Sequence, residues 1–362
     1  MDWLAWHQGA SWHQLRPPGH PFLRSRFWWT PRDQGQDQVK ASLWLDHVGF
    51  GSSVTAEQSG LALQKLDLPG ASEHWQTVLD PADALDLKDH ALCGYPLFAA
   101  AGYLALLLDW LNDQQQPLQC ADLNLDRPLW LNAGSVQLQA VRDGDAFSFH
   151  ARSTQAEDGG SWQLHGQLRL TTAAEQPIHP LPALAFDPGA ELDVANFYRS
   201  LKSLGLEYGS CYRPLVALQA NATGAEALLQ RPEAAPDRSL IDGCFQLVAA
   251  VLAQTHADGQ LLLPVGVERM QMLRWPLPDQ LRCRLQLRPD DLSQGAEGSR
   301  AHVTADLDVL DLSGDFLGAI RGLQFRRLTR TLLELMLPEG PSRPAAQLLE
   351  EIWQPLAAHA LS

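Results

Sequence analysis

Two stretches of the chain are apolar almost all the way round, PLFAAAGYLALLLDWL at 96–111 and SLIDGCFQLVAAVLAQ at 239–254. Their Ala and Leu content predicts helices, and a helix without a polar face has to be buried. Each is followed by segments that alternate apolar and polar side chains, the period of a strand with one wet face. After the first come VQLQAV at 136–141, AFSFHARS at 146–153 and SWQLHGQLRL at 161–170, separated by RDGD and AEDGG turns. After the second come LLLPVGVERMQML at 261–273, QLRCRLQLRP at 280–289, AHVTADLDVLD at 301–311 and FLGAIRGLQFRRL at 316–328. One order of elements therefore occurs twice, without identity between the copies.

A buried helix wrapped by a curved antiparallel sheet, repeated in tandem, predicts an α+β double hotdog. The expected divisions are a linker over 1–35, an N-terminal hotdog over 36–175, an inter-hotdog linker over 176–192, a C-terminal hotdog over 193–330 and a tail over 331–362. The linkers are read from PPGHPFLRSRFWW at 17–29, which has no helical or strand period, from the Pro-rich QPIHPLPALAFDPG at 176–189, and from EGPSRP at 339–344. The tail is expected to be a departing linker or a short helix. ASLWLDHVGFG, from position 41, should open the strand material.

A formal net charge of −15 argues against nucleic-acid binding, which rests on Lys and Arg neutralising phosphates. Cys93, Cys120, Cys211, Cys244 and Cys283 are odd in number, widely spread and lack CxxC spacing. That favours reduced thiols and a cytoplasmic setting, with no metal ligation. No apolar run is long enough to span a bilayer, and Met1 to Trp12 carries Asp2, His7 and Gln8, so neither a membrane span nor a signal peptide is expected.

Three constellations carry residue types suited to proton transfer. His90, in LKDHALCGYPLFAAAGY at 87–103, stands before the first apolar helix, whose N-terminal amides and dipole favour the neutral imidazole that a general base needs. Gly94 is expected to let a thioester carbonyl approach the amides of that helix start. Asp242 enters the second helix with Gln246 four residues on, within reach of its carboxyl. Asp is also a common N-cap, but an Asp opening an apolar helix is drawn toward burial, which raises a carboxyl pKa toward proton donation. Gly205 and Gly209 bracket Tyr208, which either binds a substrate hydroxyl or anchors its loop. His47 shares the His-then-Gly spacing but precedes no buried helix, and reads as structure.

In this order, HALCGYPLFA at 90–99, YGSCY at 208–212 and DGCFQ at 242–246 resemble the HxxxGxxxxP, YGPxF and DxxxQ/H motifs of polyketide synthase dehydratases. LPVGV at 263–267 resembles a further segment of that family, and HPFLRSRFWW at 20–29 resembles the end of a post-acyltransferase linker. The likeness covers roughly residues 20–330. Ala99 and Ser210 stand where the family motifs carry prolines, and its His-Pro-Leu-Leu start is not recognisable near residues 40–50.

The resemblance implies a dehydratase (DH) domain of a modular type I polyketide synthase. Such a hydro-lyase removes water from a 3-hydroxyacyl chain on an acyl carrier protein to give the α,β-enoyl thioester, a step of natural product biosynthesis. It implies His90 and Asp242 as the catalytic pair, Gln246 as its support, and Tyr208, with the Gly209 amide, as contacts to the departing hydroxyl. It implies no cofactor beyond the phosphopantetheine that presents the substrate, partners in the carrier protein and in neighbouring acyltransferase and ketoreductase domains, and a homodimer. Same-fold pyran-forming cyclases, double-bond isomerases and non-catalytic carrier-protein-binding domains are the alternatives.

Overall fold

A computed structural model of the chain describes residues 61–154, 160–171, 177–187, 190–255, 261–288 and 302–338. All fall in the compact unit Ala56–Ser362. The opening linker, His47 and the tail beyond 338 lie outside the described residues.

In chain order the elements are β1 Gln64–Leu66, β2 Glu73–Leu79, β3 His90–Leu92, β4 Tyr95–Pro96, α1 Ala100–Asp113, β5 Gln119–Leu125, β6 Val136–Asp143, β7 Ala146–Ser153 and β8 Gln163–Leu170. There follow α2 Val194–Ser203, β9 Leu206–Tyr208, β10 Leu215–Ala220, β11 Gly224–Gln230, α3 Asp237–Thr255, β12 Leu261–Met272, β13 Gln280–Leu287, β14 His302–Leu310, β15 Phe316–Leu328 and α4 Arg330–Met336. Twelve strands form one antiparallel sheet in the order β1-β2-β6-β7-β8-β5-β12-β15-β14-β13-β11-β10. Its first six belong to the earlier half of the chain and its last six to the later half. The seam is the β5–β12 pairing, with Gly266 opposite Asn124 and Gln271 opposite Gln119.

Each half wraps its own helix. Leu104, Leu107 and Leu108 of α1 and Leu240, Leu247 and Val251 of α3 are buried, together with Leu138, Phe147 and Phe149 from the first half's strands and Leu229, Leu281 and Leu285 from the second's. A leucine sunk this far stabilises the fold by roughly 1.5–3 kcal/mol relative to leaving it wet. The two helices also contact each other, so the halves share one core. No helix among the described residues is long and apolar enough to cross a membrane.

The alternating segments of the sequence become β6, β7, β8 and β12 to β15 with ends shifted by at most two residues. The first helix needs correction: it begins at Ala100, because Tyr95 and Pro96 form β4 and the next residues stay extended. Proline disfavours helical backbone at the residue before it. The Leu97 amide then donates to the His90 carbonyl and the Phe98 amide to that of Leu129.

Candidate active site

A second, three-stranded sheet, β4-β3-β9, crosses between the halves: β3 comes from the first and β9 from the second. Its register sets His90 opposite Tyr208. The turn between β3 and β4 explains Gly94. Both of its central residues have positive φ, 51° at Cys93 and 82° at Gly94, as a two-residue hairpin with the strands' own twist requires. Gly94 is thus an exposed turn residue and does not line the cavity. The expectation that it admits a carbonyl to the helix start is corrected.

His90 is buried, and its Nδ1 lies 2.9 Å from the Leu97 carbonyl oxygen. A carbonyl can only accept, so Nδ1 carries the hydrogen and Nε2 the free lone pair. Its orientation thus comes from the hairpin that ties residues 90 and 97 together, and not from the start of α1, ten residues away. Nε2 sits 3.7 Å from Asp242 Oδ1.

Asp242 occupies the second turn of α3 and not its cap, and is 3 % exposed. Gln246 Nε2 donates to Asp242 Oδ2 at 2.9 Å and to the Tyr212 carbonyl at 3.0 Å. Gln246 Oε1 accepts from the Tyr198 hydroxyl at 3.0 Å, and that hydroxyl accepts in turn from the Leu215 amide at 3.4 Å. The amide is thereby held at both ends, and one carboxylate oxygen is left facing His90. Burial pushes the Asp242 pKa up, opposed by the nearby imidazole and the Gln246 bond; desolvation penalises the charged carboxylate.

Tyr208 stands edge-on to His90, with ring centroids 5.5 Å apart. Burial holds its phenol pKa well above the ordinary value, so it keeps its proton and remains a donor. The Gly209 amide is occupied elsewhere, donating to the Asp89 carbonyl at 2.7 Å. A Cβ at Gly209 would come within 2.2 Å of the Asp89 carboxyl carbon, and that carboxyl bonds the Cys211 amide. The expectation that the Gly209 amide meets a substrate hydroxyl is therefore corrected, because that amide is already engaged.

His90, Asp242, Gln246 and Tyr208 line one cavity of about 150 Å³, whose walls are otherwise mostly apolar, among them Leu97, Phe98, Phe245 and Leu263. The structure thus brings four of the six sequence-selected residues together and leaves Gly94 and Gly209 aside. Tyr198 and Tyr212 were not found from sequence. Tyr212 had a signal, as the last position of YGSCY, whereas Tyr198 sits in the amphipathic α2, where its pattern matches any core-facing aromatic. Among the described residues no cluster of three or more His, Cys, Asp or Glu side chains is placed to hold a metal ion.

Residues 179–334 match the family model described as the polyketide synthase dehydratase N-terminal domain. Over 99% of its length the chain is 26% identical to the mycoketide-CoA synthase of Mycobacterium tuberculosis, covering 8% of that protein. It is equally similar over 99% of its length to a phenolphthiocerol synthesis polyketide synthase type I, Pks1, of the same organism, whose name marks it as inactive and of which it covers 21%. The chain spans about a fifth or less of the length of these curated relatives. Among solved structures, the dehydratase domain from the CurK module of curacin polyketide synthase superposes with a TM-score of 0.59 at 20% identity, over 75% of this chain and 99% of that one. CurK dehydratase has also been solved as a His-to-Phe and as an Asp-to-Asn mutant, both named inactive.

The fold is that of the polyketide synthase dehydratase domains, a double hotdog. Through residues 179–334 the chain is similar to the polyketide synthase dehydratase family.

Proposed function

We propose that the chain dehydrates a 3-hydroxyacyl thioester, presented on the phosphopantetheine of an acyl carrier protein, to the α,β-enoyl thioester. The observation that carries this reading is the 3.7 Å approach of His90 Nε2 to Asp242 Oδ1 within one apolar cavity. A base and an acid at that separation span the two adjacent carbons of an elimination. The inactive His and Asp mutants named for CurK dehydratase agree with such a pair.

His90 Nε2 takes the α-proton, and the electrons of the Cα–H bond become the Cα=Cβ bond as the Cβ–O bond breaks. Asp242, whose pKa burial raises, gives its proton to the departing hydroxyl, which leaves as water. The protonated His90 then returns a proton to the Asp242 carboxylate, and the site is restored. Gln246 holds Oδ2 of Asp242 away from the substrate and leaves Oδ1 to carry the proton, and Tyr208 donates to the β-hydroxyl as it leaves. Neighbouring acyltransferase and ketoreductase domains, a homodimeric state, a cytoplasmic setting and the absence of any cofactor of the domain's own belong to the same proposal, as do the divisions at 36–175, 176–192 and 193–330.

The test is turnover of a synthetic 3-hydroxyacyl pantetheine thioester by the parent, His90→Ala and Asp242→Asn. Loss of about 10²-fold or more in each variant is the expected outcome for groups that transfer protons in the transition state. Undiminished elimination in either removes that residue from the mechanism.

A further inference from the structure

α3 also carries a buried charged side chain, Arg238, whose role the reaction leaves open. Arg238, Asp242 and Gln246 recur at four-residue spacing and so share one face of the helix. Arg238 Nε donates to Asp86 Oδ2 at 2.7 Å, and its Nη2 closes on the same oxygen. Asp86 and Arg238 are each 4 % exposed, and neither lines the cavity.

The position of the pair is informative. Asp86 lies in the 3-10 turn Leu85–Leu87, four residues before His90, and Arg238 lies in the first turn of α3, four residues before Asp242. The bond therefore joins the two halves immediately behind the two residues that must meet across them. Burial raises the pKa of the Tyr212 hydroxyl, and the Arg238 charge also acts on that hydroxyl, lowering it. The Tyr212 ring packs against His90 with centroids 5.2 Å apart, and its carbonyl holds Gln246, which holds Asp242. One cation thus reaches both reacting groups through a single tyrosine.

Burying two charges costs a large desolvation penalty that their attraction seldom exceeds, so such a pair is a poor source of stability and is better suited to fixing one arrangement. We propose that Asp86 and Arg238 are positioning residues that set the His90–Asp242 separation. The inference rests on the dehydration reading, in which that separation matters.

Removing one partner alone would strand a buried charge, so the pair is exchanged together, as Asp86→Leu with Arg238→Met. Circular dichroism establishes folding; if this variant does not fold, Asp86→Asn with Arg238→Gln takes its place. Two readouts are made: kcat and KM on the 3-hydroxyacyl pantetheine thioester, and the imidazole ¹⁵N resonances of His90, assigned by their loss in His90→Ala. The expected result is kcat lowered about 10- to 100-fold with KM within about twofold, the pattern of a misplaced reacting group, together with a displaced His90 Nε2 resonance. Parental kcat, a loss carried in KM, or an unmoved His90 resonance overturns the proposal. Absence of turnover in the parent would instead defeat the dehydration reading, while the His90 resonance would still decide whether the clamp acts on the imidazole.

Discussion

Tyr198→Phe isolates the outer anchor of the acid. The substitution keeps the ring, which stands edge-on to Tyr208 at 6.2 Å and near Phe197 at 5.7 Å, and removes one oxygen. Two partners are stranded: Gln246 Oε1, which accepts at 3.0 Å, and the Leu215 amide, which donates at 3.4 Å. Gln246 is 4 % exposed, so water cannot readily replace the lost donor. A buried acceptor left unpaired costs about 1–3 kcal/mol, whereas the longer Leu215 contact contributes at the low end of the ~0.5–1.5 kcal/mol of an ordinary bond. The expected destabilisation is therefore about 2–3 kcal/mol, a factor of roughly 30 to 150 in the unfolding constant. Urea unfolding followed by fluorescence measures it as a lower midpoint at unchanged slope. Because Gln246 keeps its other bonds, to Asp242 and Tyr212, thioester turnover should fall less than in Asp242→Asn. A shift below about 0.5 kcal/mol would refute the reasoning, since it would mean that the tyrosine hydroxyl is not what fixes the amide.

The raised pKa of Asp242 has a signed consequence for stability. Below the unfolded-state value the carboxyl is protonated in both states; as pH rises past it, the unfolded chain releases the proton first, and stability falls until the folded-state value is passed. Asp242→Asn should therefore gain stability relative to the parent between acidic and neutral pH, and parallel curves of unfolding free energy against pH would contradict this. Gly94→Ala forces a side chain into a φ of +82° at an exposed turn with free space around it. It should lower stability by about 1 kcal/mol in thermal melts and leave KM unaltered, and a raised KM would mean that the turn touches substrate after all.

Much of the architecture was legible because the two apolar helices leave few ways to bury them, and because β6, β7, β8 and β13 alternate cleanly. β3, β4 and β9 were not legible: they are two or three residues long, and their pairing joins positions 90 and 208, a separation that no local pattern records. The same applies to the site. Asp242 and Gln246 could be paired from sequence because they sit one helical turn apart. The Asp86–Arg238 bond spans 152 positions, and Asp86 is in a turn where a carboxylate is ordinary. The two glycines were misread for one reason: each meets a backbone demand, a turn at Gly94 and close passage by Asp89 at Gly209, and sequence does not separate such demands from room left for a ligand.

The ladder between β5 and β12 has a mechanical consequence. Strands hydrogen-bonded edge to edge slide or part only by breaking the whole row, so the halves cannot rock about a hinge as lobes joined by a flexible strap do. For the proposed dehydration, an acyl chain must then enter without the halves parting, and any gating falls to side chains that line the cavity. Cutting the chain between the halves would bare one raw strand edge on each piece and leave each fragment with a single member of the His90–Asp242 pair.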